Sequence, residues 1–462
     1  MTSSETASDI DQKSRGYRYS WVVLSASLLA YCIYMFQRSD ISTATPGLTA
    51  AYGWSAVTIG WINSAMVWSY AVMQIPFGYV CDRWLGPRAT VSLGTALLVI
   101  GAVLFGPFLP DVGVSIVVRI LIGTGSAAIL VPANSMLANW FPSSRRGLQT
   151  AILFAGGQVA MVVASLLMPV LVGGTTKVLG LSVPQTAYFV VGLPMIAAIP
   201  LVFRFARNRP EDVGLKSIVD APAQEKAAGE SRESISHVLR HSSTLYVLTF
   251  AYVGFVGGSN INAWLTLFFV NVYGMSRVNA ALVFTLVSVL PWVVGQPIAG
   301  ALGDRIGHRR LVISSLLVST ITVGLLTALV AVYGTVSYQV AVVLLVVFWS
   351  ATSAMVNSWP LTTEYFSPKV AGTVAGVMNT GGNLAGAATT LIPGYFILDT
   401  AHSSYLPVFA FGTLVVGVGL VASLFLPKRK RGEEPSVLTT VGPSRIPGGG
   451  RTSPSTSAEP PG

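Results

Sequence analysis

With 462 residues, 52% of them hydrophobic and only 10% charged, this chain is too apolar for a soluble globular protein. Its mean hydropathy is +0.65. The formal net charge of +10 calls for an anionic partner, either lipid or nucleic acid, and the two cysteines, Cys32 and Cys81, leave no disulfide framework or metal cluster to read.

A bilayer-spanning helix takes about 20 mostly apolar residues. Runs of that kind fall at 20–44, 57–80, 89–109, 112–141, 148–173 and 185–204, and then at 244–271, 278–302, 310–332, 336–360, 370–397 and 405–427. The first is too long for a cleaved leader and lacks a small-residue cleavage site, so it reads as a retained helix. The pattern predicts an all-α membrane protein with twelve spans. Lys and Arg accumulate in cytoplasmic loops. With the N-terminus inside, about 24 of the 28 basic residues lie on the inner side, and Lys177 and Arg277 on the outer. Both termini are therefore cytoplasmic. The positive charge is mostly this asymmetry plus "KRKR" at 428–431, which suits anionic lipid headgroups rather than nucleic acid.

After the second run comes "GYVCDRWLGPR" (78–88), and after the eighth "GALGDRIGHRR" (300–310). Each has Gly, then Asp and Arg four and five residues on, then basic residues, so the chain reads as two six-helix repeats. The expected organisation is a cytoplasmic segment 1–19, a bundle 20–204, a polar linker 205–243, a second bundle 244–427 and a disordered tail 428–462. Asp82 and Asp304 sit at inner helix ends, where each can pair with Arg83 or Arg305 and with a neighbouring helix dipole. Arg88 and Arg309 complete the two loops. The first loop has one residue more between its Arg and Gly than the second.

Twelve helices, a 6+6 repeat and the Gly-x-x-x-Asp-Arg loop resemble the major facilitator superfamily. Four stretches resemble its anion:cation symporter family, the hexuronate, galactonate and sialic acid transporters: "RSDIS" in the first run, "GWSAVTIGWINSAMVWSYAVMQIPFGYVCDR" (53–83), "RILIGTG" with "ANWFPSSRRG" around the fourth, and "AGTVAGVMNTGGNLAG" in the eleventh. The resemblance implies the major facilitator fold, carriage of an organic anion, often with protons, and a gate role for the two loops.

Charges within the spans are costly, about 2.5–3.5 kcal/mol each on insertion scales, and persist only when paired or facing a wet cavity. Arg38 and Asp40 lie in the first span, Arg119 in the fourth, and Glu364 near the inner end of the tenth. Counted from the outer ends, Arg38 and Arg119 share a depth of about 10 Å. Two guanidiniums at one level suit a carboxylate. Arg38 and Asp40 are two residues apart and point to different faces, which disfavours a direct pair. For Arg119, substrate contact and a supporting role in proton coupling are both open. Proton-driven relatives often carry an acid before the first arginine and another after the second; here Gln37 precedes Arg38, and 120–139 holds no carboxylate. Asp40 remains as the proton-coupling candidate. Further candidate ligands are Tyr34, one turn before Arg38; Tyr70 and Gln74, which share a face; Asn260 and Asn262; Asn357; and Asn379 and Asn383, four apart. For the last two, hydrogen bonding between helices is an equal alternative. Trp264 and Trp359 suit packing.

The expected function is import of a small organic anion, a sugar acid or another hydroxylated or aromatic carboxylate, with protons, by a monomer in the cell membrane (the inner membrane in a Gram-negative cell). The alternatives are proton-coupled efflux of drugs or metabolites, and a proton-independent uniporter or exchanger. No cofactor is expected, since the Gly-x4-Gly-Lys-Ser/Thr phosphate loop is absent. An enzyme is disfavoured: His237, His241, His308 and His402 all fall in the linker or loops.

Overall fold

The computed structural model describes residues 3–137, 139–141, 146–216, 235–366, 368–396 and 405–428; the side chains of Asp82 and Asp304, and the tail beyond Lys428, lie outside what is described. Helix α1 is Ser3–Tyr52, α2 Ala56–Val80, α3 Gly86–Phe108, α4 Val112–Leu137, α5 Arg146–Val172 and α6 Val183–Phe205. In the second half α7 is Ser243–Tyr273, α8 covers 277–306, α9 His308–Tyr333, α10 covers 338–365, α11 Pro368–Leu391 and α12 Leu406–Leu424. A short 3-10 turn, Pro210–Val213, and a helical turn, Ile235–His241, stand at the two ends of the linker.

Among the described residues, ten helices are long and apolar enough to cross a membrane by length and composition alone. The twelve runs of the sequence reconcile with this at two places. Ala56–Phe108 counts as one helix of 53 residues, about 80 Å at the α-helical rise and so two bilayer crossings. Helix α11 falls short in apolarity because glycine, threonine and asparagine interrupt it (Pro368–Leu391). The join between α2 and α3 also explains the unequal loops. Cys81–Leu85 forms a π-helical turn ending at Gly86, φ +70°, whereas in α8 the stretch Leu290–Ile306 runs to Gly307, φ +97°, as regular α-helix. A π turn absorbs one inserted residue, so Asp82, Arg83 and Arg88 keep the places that Asp304, Arg305 and Arg309 hold in the other half.

The pairings repeat as well. Helix α1 packs on α5, α2 on α4 and α3 on α6; in the second half α7 packs on α11, α8 on α10 and α9 on α12. The halves meet along α1–α7, α2–α11 and α5–α8. Small residues set several approaches, as expected where lipid supplies no hydrophobic drive between helices. A Cβ on Gly123 of α4 would collide with the Ser69 hydroxyl and the Met66 carbonyl of α2. We expect Gly123→Ala to lower stability by about 1–3 kcal/mol through overpacking, read as a lower thermal midpoint of the purified protein; an unchanged midpoint would show that α2 and α4 separate freely.

The seam between α2 and α11 is closed at its outer end. At the outer ends of α2 and α11, a Cβ on Gly60 would stand 3.2 Å from the Leu391 carbonyl oxygen, and one on Gly394 would stand 2.7 Å from that of Ala56. The Trp61 indole donates to the Tyr395 hydroxyl at 2.8 Å across the same seam. At the inner ends of α2, α8 and α11, a Cβ on Gly78, Gly300 or Gly376 would meet nothing within 4 Å.

Candidate functional site

Helix α1 carries polar residues that would be costly in lipid, and the fold satisfies most of them locally. Ser42, Thr43 and Thr45 return their hydroxyls to carbonyls three or four residues back, at 2.8 to 3.1 Å. Arg38 and Asp40 go elsewhere, and in opposite directions.

The Arg38 guanidinium donates to the Tyr34 hydroxyl at 3.0 Å and, through both terminal nitrogens, to Asn383 Oδ1 on α11 at 3.3 Å each. Asn383 in turn donates to Asn379 Oδ1 at 3.1 Å, and the Tyr252 hydroxyl of α7 donates to the same oxygen at 3.5 Å. Tyr70 of α2 stacks on Tyr34, with ring centroids 5.1 Å apart and planes 13° from parallel. Gln74 accepts from Thr380 of α11 at 3.4 Å. Tyr34, Tyr70, Asn379 and Asn383 are thus gathered around one cation, from three helices and both halves of the chain. No carboxylate pairs with Arg38 among the described residues.

A cleft opens beside Arg38 between the halves. Ser259, Asn260 and Asn262 come from α7, where the helix breaks between Ser259 and Asn262. Interrupted helices at mid-membrane are where transporters build their sites. The remaining wall is apolar: Met161 of α5, Phe284, Val289 and Trp292 of α8, and Trp349 of α10, with Ser288 among them. Arg38 is the only charged residue among those described in the lining. Ser259, Ser288, Trp292 and Trp349 were not anticipated as lining from the sequence; two tryptophans mid-span, away from the headgroup belt, were the available signal.

Arg119 is not at this cleft. It is 1% exposed, donates to Asp40 Oδ1 at 3.3 Å and to the Gln37 carbonyl at 3.2 Å, and lies over the Phe105 ring at 5.4 Å. Asp40 is fully buried and also accepts from the Ile41 amide at 2.6 Å. This ion pair lies inside the first half, so the two arginines expected to share one carboxylate face different partners. Asp40 Oδ2, Arg119 Nε and Gln37 Oε1 are buried with no hydrogen-bond partner.

Asn357 is likewise placed away from the cleft. Its amide donates to the Ala299 and Ala354 carbonyls at 3.1 Å each, and its oxygen meets His308 Nδ1 at 2.8 Å, at the inner end of the second half. His308 Nε2 lies 3.6 Å from Glu364. Trp264 is fully buried and donates to the Thr390 carbonyl at 3.2 Å, and Trp359 stands edge-on to Tyr252.

Of the inner-loop residues, Arg88 and Arg309 bond within their own halves. Arg88 donates to the Phe203 carbonyl at the end of α6, at 3.1 Å; Arg309 donates to the Leu426 and Leu424 carbonyls at the end of α12, at 2.7 and 3.4 Å. Each caps a helix C-terminus, where orphan carbonyls and the dipole favour a cation. Arg83 lies over the Tyr79 ring at 5.4 Å, and Arg305 is exposed. Among the described residues, no group of three or more His, Cys, Asp or Glu side chains converges as a metal site.

A family model, the Major Facilitator Superfamily, matches residues 27–390 and 293–446. The chain belongs to the Major Facilitator Superfamily. As a member it is a membrane transporter and not an enzyme, a multi-pass protein of the cell membrane. Relatives include the probable sulfoacetate transporter SauU of Cupriavidus necator, 27% identical over 88% of this chain and 93% of its own length. The probable galactarate/D-glucarate transporter GarP of Escherichia coli is 25% identical over 84% and 91%. The chloroplastic ascorbate transporter of Arabidopsis thaliana is 24% identical over 86% and 74%. Among solved structures, a bacterial homologue of the human lysosomal transporter Spinster aligns with a TM-score of 0.69 at 18% identity, covering 88% of this chain and 96% of its own. A D-xylose–proton symporter gives 0.66 at 16%, covering 88% and 97%. Both structures share the fold of this chain.

Proposed function

We propose that this superfamily member imports a small organic carboxylate, a sugar acid or a monocarboxylate, together with protons, by alternating access. The observation that carries the reading is Arg38: a cation lining the cleft between the halves, oriented by Tyr34 and Asn383, and with no acid beside it among the described residues. A charge in that position persists when a mobile counter-ion completes it. The relatives named for sulfoacetate, sugar diacids and ascorbate support an anion as that counter-ion.

Asp40 is proposed to carry the proton. Its Oδ2 is buried and unpartnered, and protonation would release Arg119 from the pair, coupling charge state to the packing of α1 against α4. The test is uptake of labelled carboxylates by purified protein in proteoliposomes, with and without an inward proton gradient. Wild type should accumulate anion only with the gradient. Asp40→Asn should equilibrate anion without accumulating it. Gradient-independent uptake by wild type would instead identify a uniporter or exchanger.

A further inference from the structure

Helix α10 breaks into a 3-10 turn at Ser353–Asn357 and resumes as the short segment Ser358–Tyr365, which packs on α9 and α11. The two ends of that segment hold His308, the first residue of α9, from both sides of its ring. Asn357 Oδ1 lies 2.8 Å from Nδ1, and Glu364 Oε1 lies 3.6 Å from Nε2. The end of α8 closes the same node, since a Cβ on Gly303 would collide with both Asn357 and the imidazole.

The bonds of Asn357 decide where the imidazole carries its protons. Both amide hydrogens go to the Ala299 and Ala354 carbonyls, at 3.1 Å each, so the amide oxygen is left as an acceptor and His308 Nδ1 must donate to it. In the neutral ring Nε2 is then a bare lone pair beside a carboxylate, and two acceptors repel. A second proton on the ring turns the same contact into an ion pair. We propose that His308 is a cytoplasmic pH sensor: doubly protonated, it ties the inner segment of α10 to α8 and α9 through Glu364, and it loses that hold as the cytoplasm turns alkaline. Histidine is the side chain whose charge ordinarily changes between about pH 5 and 8. Of the other charged and titratable groups around the node, Arg305 at the end of α8, Arg310 on α9 and Lys428 after α12 are exposed. Arg309 is drawn to the Leu426 carbonyl after α12, and the Tyr365 hydroxyl donates to the Pro427 carbonyl at 3.0 Å. The side chain of Asp304 lies outside what is described. Among the described residues, Glu364 is the carboxylate paired with the ring.

The matching positions of the first half are inert to pH. Gly86 corresponds to Gly307, which sets Pro87 where His308 stands. The Trp140 indole donates to the Arg207 carbonyl just after α6, at 2.7 Å, as the Tyr365 hydroxyl does to Pro427 just after α12. Asn139 therefore takes the place of Glu364, and its amide donates to the Asn208 carbonyl at 3.1 Å. A proline and an amide in one repeat are an imidazole and an acid in the other, so the response to protons is confined to the inner end of the second half.

The experiment is hydrogen–deuterium exchange, read by mass spectrometry over residues 358–365, on the purified full-length protein in detergent at about pH 6 and about pH 8, on either side of the ordinary histidine range. Each variant is compared with wild type at the same pH, which cancels the intrinsic pH dependence of exchange. At the acid pH, Glu364→Gln and His308→Gln should exchange about threefold faster than wild type, the worth of a partly exposed ion pair. At the alkaline pH the three should agree. His308→Arg keeps the charge and should stay slow at both. Glu364 is exposed, so its replacement leaves the fold intact, and that comparison stands even where His308→Gln fails to fold. Wild type exchanging as fast as Glu364→Gln at the acid pH, or a gap between them that persists at the alkaline one, would overturn the sensor. No cargo enters the measurement, so its outcome is independent of the reading of Arg38.

Discussion

Arg38→Ala is expected to abolish saturable uptake, with apparent affinity for the anion falling by roughly two orders of magnitude. A charge-assisted, two-pronged contact in a low-dielectric cleft is worth about 3 kcal/mol when one partner is deleted, which is a factor of about 150. The loss should not be one of folding. Arg38 spends its protein hydrogen bonds on two neutral groups, the Tyr34 hydroxyl and Asn383 Oδ1, so its removal strands no buried charge. The thermal midpoint of Arg38→Ala should therefore stay close to that of wild type while ligand no longer raises it. Arg38→Lys keeps the charge but loses the fork that spans two oxygens and should retain weak binding. Normal uptake by Arg38→Ala would make the arginine structural and remove the basis of the proposed site.

Asp40 and Arg119, unlike Arg38, should show a large effect on stability. Both are buried, and their contact is the single 3.3 Å pairing. Deleting one member of a buried pair leaves an uncompensated charge and costs about 3–5 kcal/mol, whereas replacing both by neutral groups of similar volume is often close to neutral. Arg119→Leu and Asp40→Asn should each lower the thermal midpoint, Asp40→Asn the more severely because the stranded guanidinium cannot shed its charge, whereas a stranded carboxylate can take up a proton. The double variant should recover most of the loss. Additive losses in the cycle would show that the two side chains are not energetically coupled.

These two side chains also show where sequence reasoning reaches its limit. Counting residues from the span ends places Arg38, Asp40 and Arg119 within one helical turn of the same depth, because two residues along a helix are only about 3 Å of rise. Depth alone therefore allows Arg119 to meet either neighbour. What decides the matter is azimuth: two residues turn a helix by about 200°, so Arg38 and Asp40 look out from opposite sides of α1, and only the packing of α1 against α4 and α11 fixes which side holds what. Asn357 is a different case: it falls three residues before the end of its run at 360, so depth alone already puts it at the inner end, where it bonds to His308, Ala299 and Ala354. By contrast, the twelve runs, the repeated loop and the Asn379–Asn383 face rest on period and spacing, which one strand of sequence carries in full. Trp292 and Trp349 were missed because aromatic residues in an apolar run carry no periodic mark separating a lining position from a lipid-facing one.

The contrast between the two ends of the seam has a consequence for control. The outer closure is made by backbone approach around Gly60 and Gly394 and one neutral hydrogen bond, Trp61 to Tyr395, while the inner loops bring Arg83 and Arg305 to a wet surface. Contacts between neutral surfaces are nearly indifferent to ionic strength, and exposed charges are screened within about 8 Å at physiological salt. Added electrolyte therefore screens the exposed inner arginines and leaves the neutral outer seam almost untouched.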